Sequence, residues 1–279
     1  MAGQCLSNPM DRTARSFHFP SGIRLMEMFF AGWSVLVFIF LYVPIVLLVG
    51  YSFNKSRLNI LWEGFTLKWY SLLWHNQPLI QALKNSIIVA VFTCVFSVAL
   101  GTLGAWLLYR YRFPAKRAIQ TLVFIPMVIP EIIMGISLMI FFSAIAFGFG
   151  YTTIIISHIT FSFPFVLVAV QARLSGVDPF LEEAAMDLGA TPLQAFWKVM
   201  VPYMLPAIVS GTLMSFTLSL DELIVTYFTM SPETATLPIK VFGMAKVGLN
   251  PMLNAISTIF ILATVAFVLL AEWIRRASR

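Results

Sequence analysis

Three carboxylates, Glu131, Asp221 and Glu222, stand inside or at the end of long apolar runs. A carboxylate in hydrocarbon is expensive, about 2.5–3.5 kcal/mol on insertion scales for Asp at a helix centre, and by default marks a functional site. Three acids near one level can receive the ammonium groups of a cationic solute, and no Lys or Arg inside the apolar runs competes for them. Pro126 and Pro130, just before Glu131, can break a helix and free backbone carbonyls, as discontinuous transporter helices do. Tyr227, Trp69 and Trp74 fall near the same side and could pack on a cation. The plainer reading leaves Asp221 and Glu222 at a membrane interface and Glu131 bonded to a neighbouring helix terminus.

A second cluster lies in the hydrophilic segment 173–201, RLSGVDPFLEEAAMDLGATPLQAFWKVMV. Its local chemistry predicts two short helices with a hinge. Asp178 can cap the first, with Pro179 at its first position and Glu182 and Glu183 in the first turns, where the helix dipole favours negative charge. Gly189 suits a left-handed stop. Thr191 can cap the second helix, which Pro192 begins, and Gln194 completes a capping box. On the first helix Phe180, Leu181, Ala184, Ala185 and Leu188 make an apolar stripe, while Glu182, Glu183 and Asp187 gather on another side. Glu183 and Asp187 are a like-charge pair at i, i+4, costing about 0.2–0.5 kcal/mol on an isolated helix, a cost that a basic partner removes. On these grounds alone a surface helix lying against a bilayer is an equal alternative to a docking element.

Other chemistries lack their residues. Cys5 and Cys94 have neither metal spacing nor a disulfide framework, and His18, His75 and His158 are too dispersed for a metal site. His158, on an apolar run, reads as a packed, hydrogen-bonded residue. The HExxH and GxSxG motifs of an intramembrane hydrolase are missing, and so is the GxxxxGK[ST] phosphate loop, so the chain holds no ATP site of its own.

The elements that must position these groups are membrane helices. The chain is 59% hydrophobic and 11% charged, with a mean hydropathy of +0.89, and its apolar residues come in long uncharged blocks. At about 20 apolar residues per crossing, six spans result: 28–52, 84–109, 118–147, 151–172, 202–224 and 252–273. Counted from the start of the third span, Glu131 falls in its outer half. With both termini inside, the inner segments hold twelve Lys and Arg (residues 12, 15, 24, 110, 112, 116, 117, 173, 198, 275, 276 and 279) and the outer ones six, which favours this orientation. The net charge of +6 therefore reflects membrane orientation, because no basic stripe with interleaved aromatics exists to bind nucleic acid. The expected domains are a cytoplasmic tail 1–27, an all-α membrane domain 28–274 that includes the cytoplasmic loop 173–201, and a cytoplasmic end 275–279.

Within that loop, Glu183-Ala184-Ala185, three residues, Gly189, nine residues, Val199, one residue and Val201-Pro202 resemble the EAA loop of permease subunits in bacterial ATP-binding-cassette importers. Valines stand where that pattern usually has Ile and Leu. The resemblance extends over essentially the whole chain and implies a type I (MetI-like) importer permease of the inner membrane, with residues about 179–198 seated in a groove of the ATPase. It marks Glu182, Glu183, Ala184, Ala185, Asp187 and Gly189 as coupling residues, with Glu183 the polar contact. It implies as partners a second related permease, two copies of an ATPase that binds the ATP and Mg, a periplasmic binding protein docking on the outer loops 54–81 and 223–252, and membrane lipid. The stretches PMVIPEIIMGISL, SFTLSLDELIV and LPIKVFGMAKVGLNPMLNAIST are most similar to spermidine/putrescine permeases, which makes a polyamine the expected substrate along Glu131, Asp221, Glu222 and Tyr227. An importer of another small organic solute is the alternative. An ion-coupled secondary transporter would leave the EAA loop unexplained and would often show two related halves.

Overall fold

The computed structural model describes residues 21–56, 61–178, 180–248 and 250–277. The expected tail up to residue 20, including Cys5, Arg12, Arg15 and His18, and also Arg57, Pro179 and Arg279 lie outside the described residues. The helices in chain order are α1 (Ser21–Tyr51), α2 (Lys68–Trp74), α3 (Gln77–Arg110), α4 (Lys116–Val128), α5 (Glu131–Ala144), α6 (Tyr151–Leu174), α7 (Leu181–Asp187), α8 (Pro192–Ala195), α9 (Val201–Asp221), α10 (Ile224–Thr229), α11 (Leu237–Val247) and α12 (Pro251–Ala277). Among the described residues the extended pairing is a single antiparallel bridge, Asn54 with Phe65.

Two compact units divide after Leu48. The first contains most of α1, which carries Pro44 inside an apolar stretch of mean hydropathy 2.5. A proline is tolerated in a membrane helix because neighbouring groups re-satisfy the backbone it frees. The second unit is built around α3, α6 and α9, which pack against one another. Ala105 and Leu108 of α3, Val166, Val170 and Leu174 of α6, and Met204 of α9 share its largest buried cluster. Close approach is possible because of two glycines: a Cβ on Gly101 would lie 2.7 Å from Val166 Cβ, and one on Gly211 would lie 3.0 Å from Val166 Cγ1. Small residues at the seam are how helices pack tightly in lipid, where burying apolar surface alone gains nothing.

Among the described residues four helices are long and apolar enough to cross a membrane, or five with α4 and α5 counted as one broken span. Within the expected span 118–147 the helix breaks at the second of its two candidate prolines: α4 and α5 meet at 108°. Ile129 (φ −67°, ψ 130°) and Pro130 (φ −56°, ψ 135°) are extended. Pro130 has no N–H to continue the ladder and pushes the residue before it out of the helical region. Pro126 lies inside α4 without ending it. The fifth expected span, 202–224, is also interrupted: α9 stops at Asp221, Glu222 is extended (φ −65°, ψ 120°), and α10 begins at Ile224.

The segment leading into α11 is latched to α3. Asn85 donates to the carbonyls of Glu233 (3.1 Å) and Ala235 (3.0 Å) while its Oδ1 accepts from Tyr151 (2.6 Å), and Leu237 N donates to Ser86 Oγ at 2.8 Å. Trp69 is committed to this scaffold, donating from Nε1 to Asn54 O at 2.7 Å, whereas Trp74 is exposed.

Candidate functional site

The two chain breaks face one another. Glu131 opens α5 and Glu222 precedes α10, and these two short helices pack together so closely that a Cβ on Gly135 would lie 2.7 Å from Phe228 Cδ2. Between the breaks lies a cavity of about 470 Å³ whose lining includes Glu131, Asp221 and Glu222 together with Met134, Phe161 and Leu218. The C-terminal ends of α4 and α9 reach it through Met127, Ile129 and Asp221. A helix C-terminus carries partial negative charge on its free carbonyls, which adds to the field of the three acids. Among the described residues that line the cavity there is no Lys, Arg or His. Among the described residues no three acids, His or Cys converge closely enough to hold a metal ion, so the carboxylates are spread over the cavity wall. The arrangement suits a cation with more than one charged centre.

The acids differ in their engagement. Glu222 is buried, and its Oε1 accepts from Val225 N at 2.8 Å, satisfying the start of α10. Asp221 and Glu131 are exposed to the cavity side. Behind them His158 ties α6 to both sides of the break, with Ser219 Oγ and Thr226 Oγ1 each 2.8 Å from its ring nitrogens. His158 is fully buried, a hydrogen-bonded packing residue as its apolar setting suggests.

Tyr227 does not join the three acids. It lines a neighbouring hollow of about 280 Å³ with Ile132, Phe242 and Lys246, and that hollow already has a cation, since Lys246 Nζ stands 4.5 Å from the centre of the Phe242 ring. Tyr227, expected along the same path as the acids, thus lines an adjoining hollow that shares Leu223 and Ile224 with the acid-lined cavity.

The loop 173–201 carries the expected Gly189 turn and Thr191 capping box, whereas α7 starts at Leu181, later than expected, with Phe180 at its N-cap and no side-chain cap. Asp178 Oδ1 accepts from Phe180 N at 3.0 Å ahead of α7. Gly189 adopts φ +90°, a region that L side chains avoid, and the turn closes with Gly189 N donating to Met186 O (2.9 Å) and Ala190 N to Ala185 O (3.1 Å). Thr191 Oγ1 accepts from Gln194 N at 3.3 Å and Gln194 Oε1 accepts from Thr191 N at 3.0 Å. The second helix is not separate, however. From α8 the chain passes through a π turn, Phe196–Met200, into α9, giving one helical run Pro192–Asp221 of 30 residues. At 1.5 Å per residue this rod is about 45 Å long. Its first turn is in the capped loop and its last residue is an acid of the cavity.

Of the three acids on α7, Glu182 turns inward. Glu182 is 3% exposed and lies 3.4 Å from Arg110 Nε, at the end of α3; Glu183 is 3.8 Å from Arg110 Nη1 with its side chain half exposed. The apolar stripe faces outward, with Phe180, Leu181, Ala184 and Leu188 exposed, Leu188 at 91%. Asp187 is exposed and Ala185 half-buried. Sequence reasoning missed Arg110, whose only local signal was its place in the last turn of a helix, where cations are favoured.

Residues 97–279 match the family described as binding-protein-dependent transport system inner membrane component. The chain is 41% identical to the spermidine/putrescine transport system permease protein PotC of Escherichia coli (strain K12), over 88% of this chain and 93% of that one. It is 38% identical to the putrescine transport system permease protein PotI of the same organism, over 86% of this chain and 89% of that one. In fold it is similar to a chain from the crystal structure of a bacterial ABC transporter involved in the import of the acidic polysaccharide alginate, with a TM-score of 0.72 over 92% of this chain and 97% of that one at 19% identity. A match over more than half of the chain, with relatives near 40% identity along most of its length, means that the chain belongs to the binding-protein-dependent transport system inner membrane components.

Proposed function

We propose that this chain forms half of the path by which a polyamine, putrescine or spermidine, is imported across a bacterial inner membrane, driven by a separate ATPase. The observation that carries the reading is the continuous rod Pro192–Asp221, which joins the capped loop at one end to the acid-lined cavity at the other. A push on α8 can reach Asp221 along one helical run, through the π turn and past Pro206. The loop's exposed apolar stripe and half-exposed Glu183 form the surface that an ATPase groove covers, and Gly189 lets the chain turn away from it. Closure of the ATPase dimer on ATP then moves α9 and with it the cavity wall.

In the complete assembly the chain pairs with a second related permease, on two copies of the ATPase, and receives substrate from a periplasmic binding protein. ATP and Mg belong to the ATPase. The chain lies with both termini in the cytoplasm, α12 completing six crossings, which puts the loop 173–201 on the ATPase side. The substrate assignment is supported by the spread of three carboxylates without a competing cation, by the carbonyl ends of α4 and α9, and by the polyamine systems to which the similar permeases belong.

The test is ATP-dependent uptake of radiolabelled putrescine and spermidine into proteoliposomes containing this chain, its partner permease, the ATPase and the binding protein. Glu131→Gln and Asp221→Asn should each lower uptake while the assembled complex and its ATPase remain intact. Assembly and ATPase activity without uptake of either polyamine by the unaltered complex would keep the importer and discard the cation. Unchanged uptake in both amide variants would remove the acids from the path.

A further inference from the structure

Counted by loop, Arg110 is one more positive residue at the inner end of a span, but in the fold it is the partner of a buried acid. Glu182 has both carboxylate oxygens shut away from solvent, and neither has a hydrogen-bond partner among the described residues, so the 3.4 Å approach of Arg110 Nε is what offsets its burial. The two groups also suit their helix ends: Arg110 lies in the last turn of α3 and Glu182 in the first turn of α7. A second contact joins the same end of α3 to the other half of the loop, since the Trp106 ring lies 4.6 Å from that of Phe196 in the π turn. The loop is thus held to α3 on both sides of the Gly189–Ala190 turn.

We propose that Arg110 and Glu182 form the internal tie through which movement of the coupling loop reaches α3, leaving Glu183 for the ATPase. Both carboxylates approach Arg110, Glu182 at 3.4 Å and Glu183 at 3.8 Å, but they differ in exposure. Glu182 is enclosed by its own chain and cannot meet another protein, whereas Glu183 keeps half of its side chain in the open. The rod formed by α8 and α9 transmits movement by covalent continuity. The tie recruits α3, which packs along both α6 and α9, so that the core helices shift together. Arg110 and Glu182 are positioning residues on this account, and neither touches substrate.

The inference rests on the coupling reading of the loop, and its test separates the two. In the complete reconstituted assembly, uptake per ATP hydrolysed is measured for Glu182→Gln, Arg110→Gln and the double variant, with Gly189→Trp as the reference for the loop itself. Each amide single should lower the ratio about tenfold, within the ~5–150-fold range typical of coupling between sites. The double should fall no further, because residues that act through one another are not additive. A stabilising contact alone would change the amount of assembled complex but not this ratio. The isosteric Glu182→Gln decides the matter even if Arg110→Gln fails to assemble. An unchanged ratio in Glu182→Gln, or losses that multiply in the double, overturns the tie. Should Gly189→Trp also transport normally, the coupling role of the loop falls with it; a dead Gly189→Trp beside an unaffected Glu182→Gln overturns the tie alone.

Discussion

His158 donates from Nε2 to Thr226 Oγ1 at 2.8 Å, and the direction follows from Thr226, whose hydroxyl proton goes to Glu222 O at 3.1 Å. The other ring nitrogen then accepts from Ser219 Oγ, also at 2.8 Å. One neutral ring therefore joins α6 to the end of α9 and the start of α10, spanning the break that presents Asp221 and Glu222.

Replacing that ring with Ala should loosen the break. It leaves the Ser219 hydroxyl proton and a lone pair on Thr226 without their partner in a fully buried place, at about 1–3 kcal/mol for each group left unsatisfied. The expected result for His158→Ala is a lower unfolding temperature of the detergent-solubilised complex together with weaker uptake. Wild-type thermal stability would mean that the ring does not hold α10 in place.

Glu222 has two separable properties, a charge and an acceptor. Its Oε1 accepts from Val225 N, so Glu222→Ala removes a cap worth about 0.5–2 kcal/mol, whereas Glu222→Gln keeps a carbonyl in the same place. Thermal unfolding should show Ala destabilised and Gln close to wild type. Uptake should fall less for Glu222→Gln than for Asp221→Asn, because Asp221 is the more open carboxylate. Equal destabilisation by Gln and Ala would assign the stability to charge and contradict the cap.

How much of this was legible in the sequence depended on the range of the interaction. Thr191 with Gln194, and Gly189 after α7, are local devices whose partners lie within a few residues, and they fold as their chemistry dictates. The gathering of Glu131 with Asp221 and Glu222 was legible because charged residues are so rare in these apolar runs. A helix break near Glu131 was legible too, but its site and its 108° angle were not, since Pro126 and Pro130 carry the same local signal and only the second ends its helix. The pairing of Arg110 with Glu182 depends on α3 and α7 meeting in space, which no periodicity reports. That Tyr227 lines the adjoining hollow was hidden for a similar reason: proximity in sequence to Glu222 says nothing of the face that a six-residue helix turns to the cavity.

The crossing of α5 and α10 offers the most direct control over the spacing of the acids. Glu131 lies one turn before Gly135 on α5, and Glu222 caps the helix that carries Phe228. A Cβ on Gly135 would come within 2.7 Å of Phe228 Cδ2 and 3.4 Å of Val225 Cα, closer to the ring than real atoms approach. Gly135→Ala must therefore move either the Phe228 ring or the helices, and overpacking of this kind costs about 1–3 kcal/mol. Separation of α5 from α10 changes the distance between Glu131 and Glu222, so uptake should fall together with stability. Adding Phe228→Leu, which vacates the ring position, should restore both, because substitutions in direct contact are not additive. Polyamine uptake and thermal unfolding of the single and double variants provide the measurement. Loss in the single without recovery in the double would place the damage somewhere other than this crossing, and an unaffected single would show that the contact does not set the cavity's width.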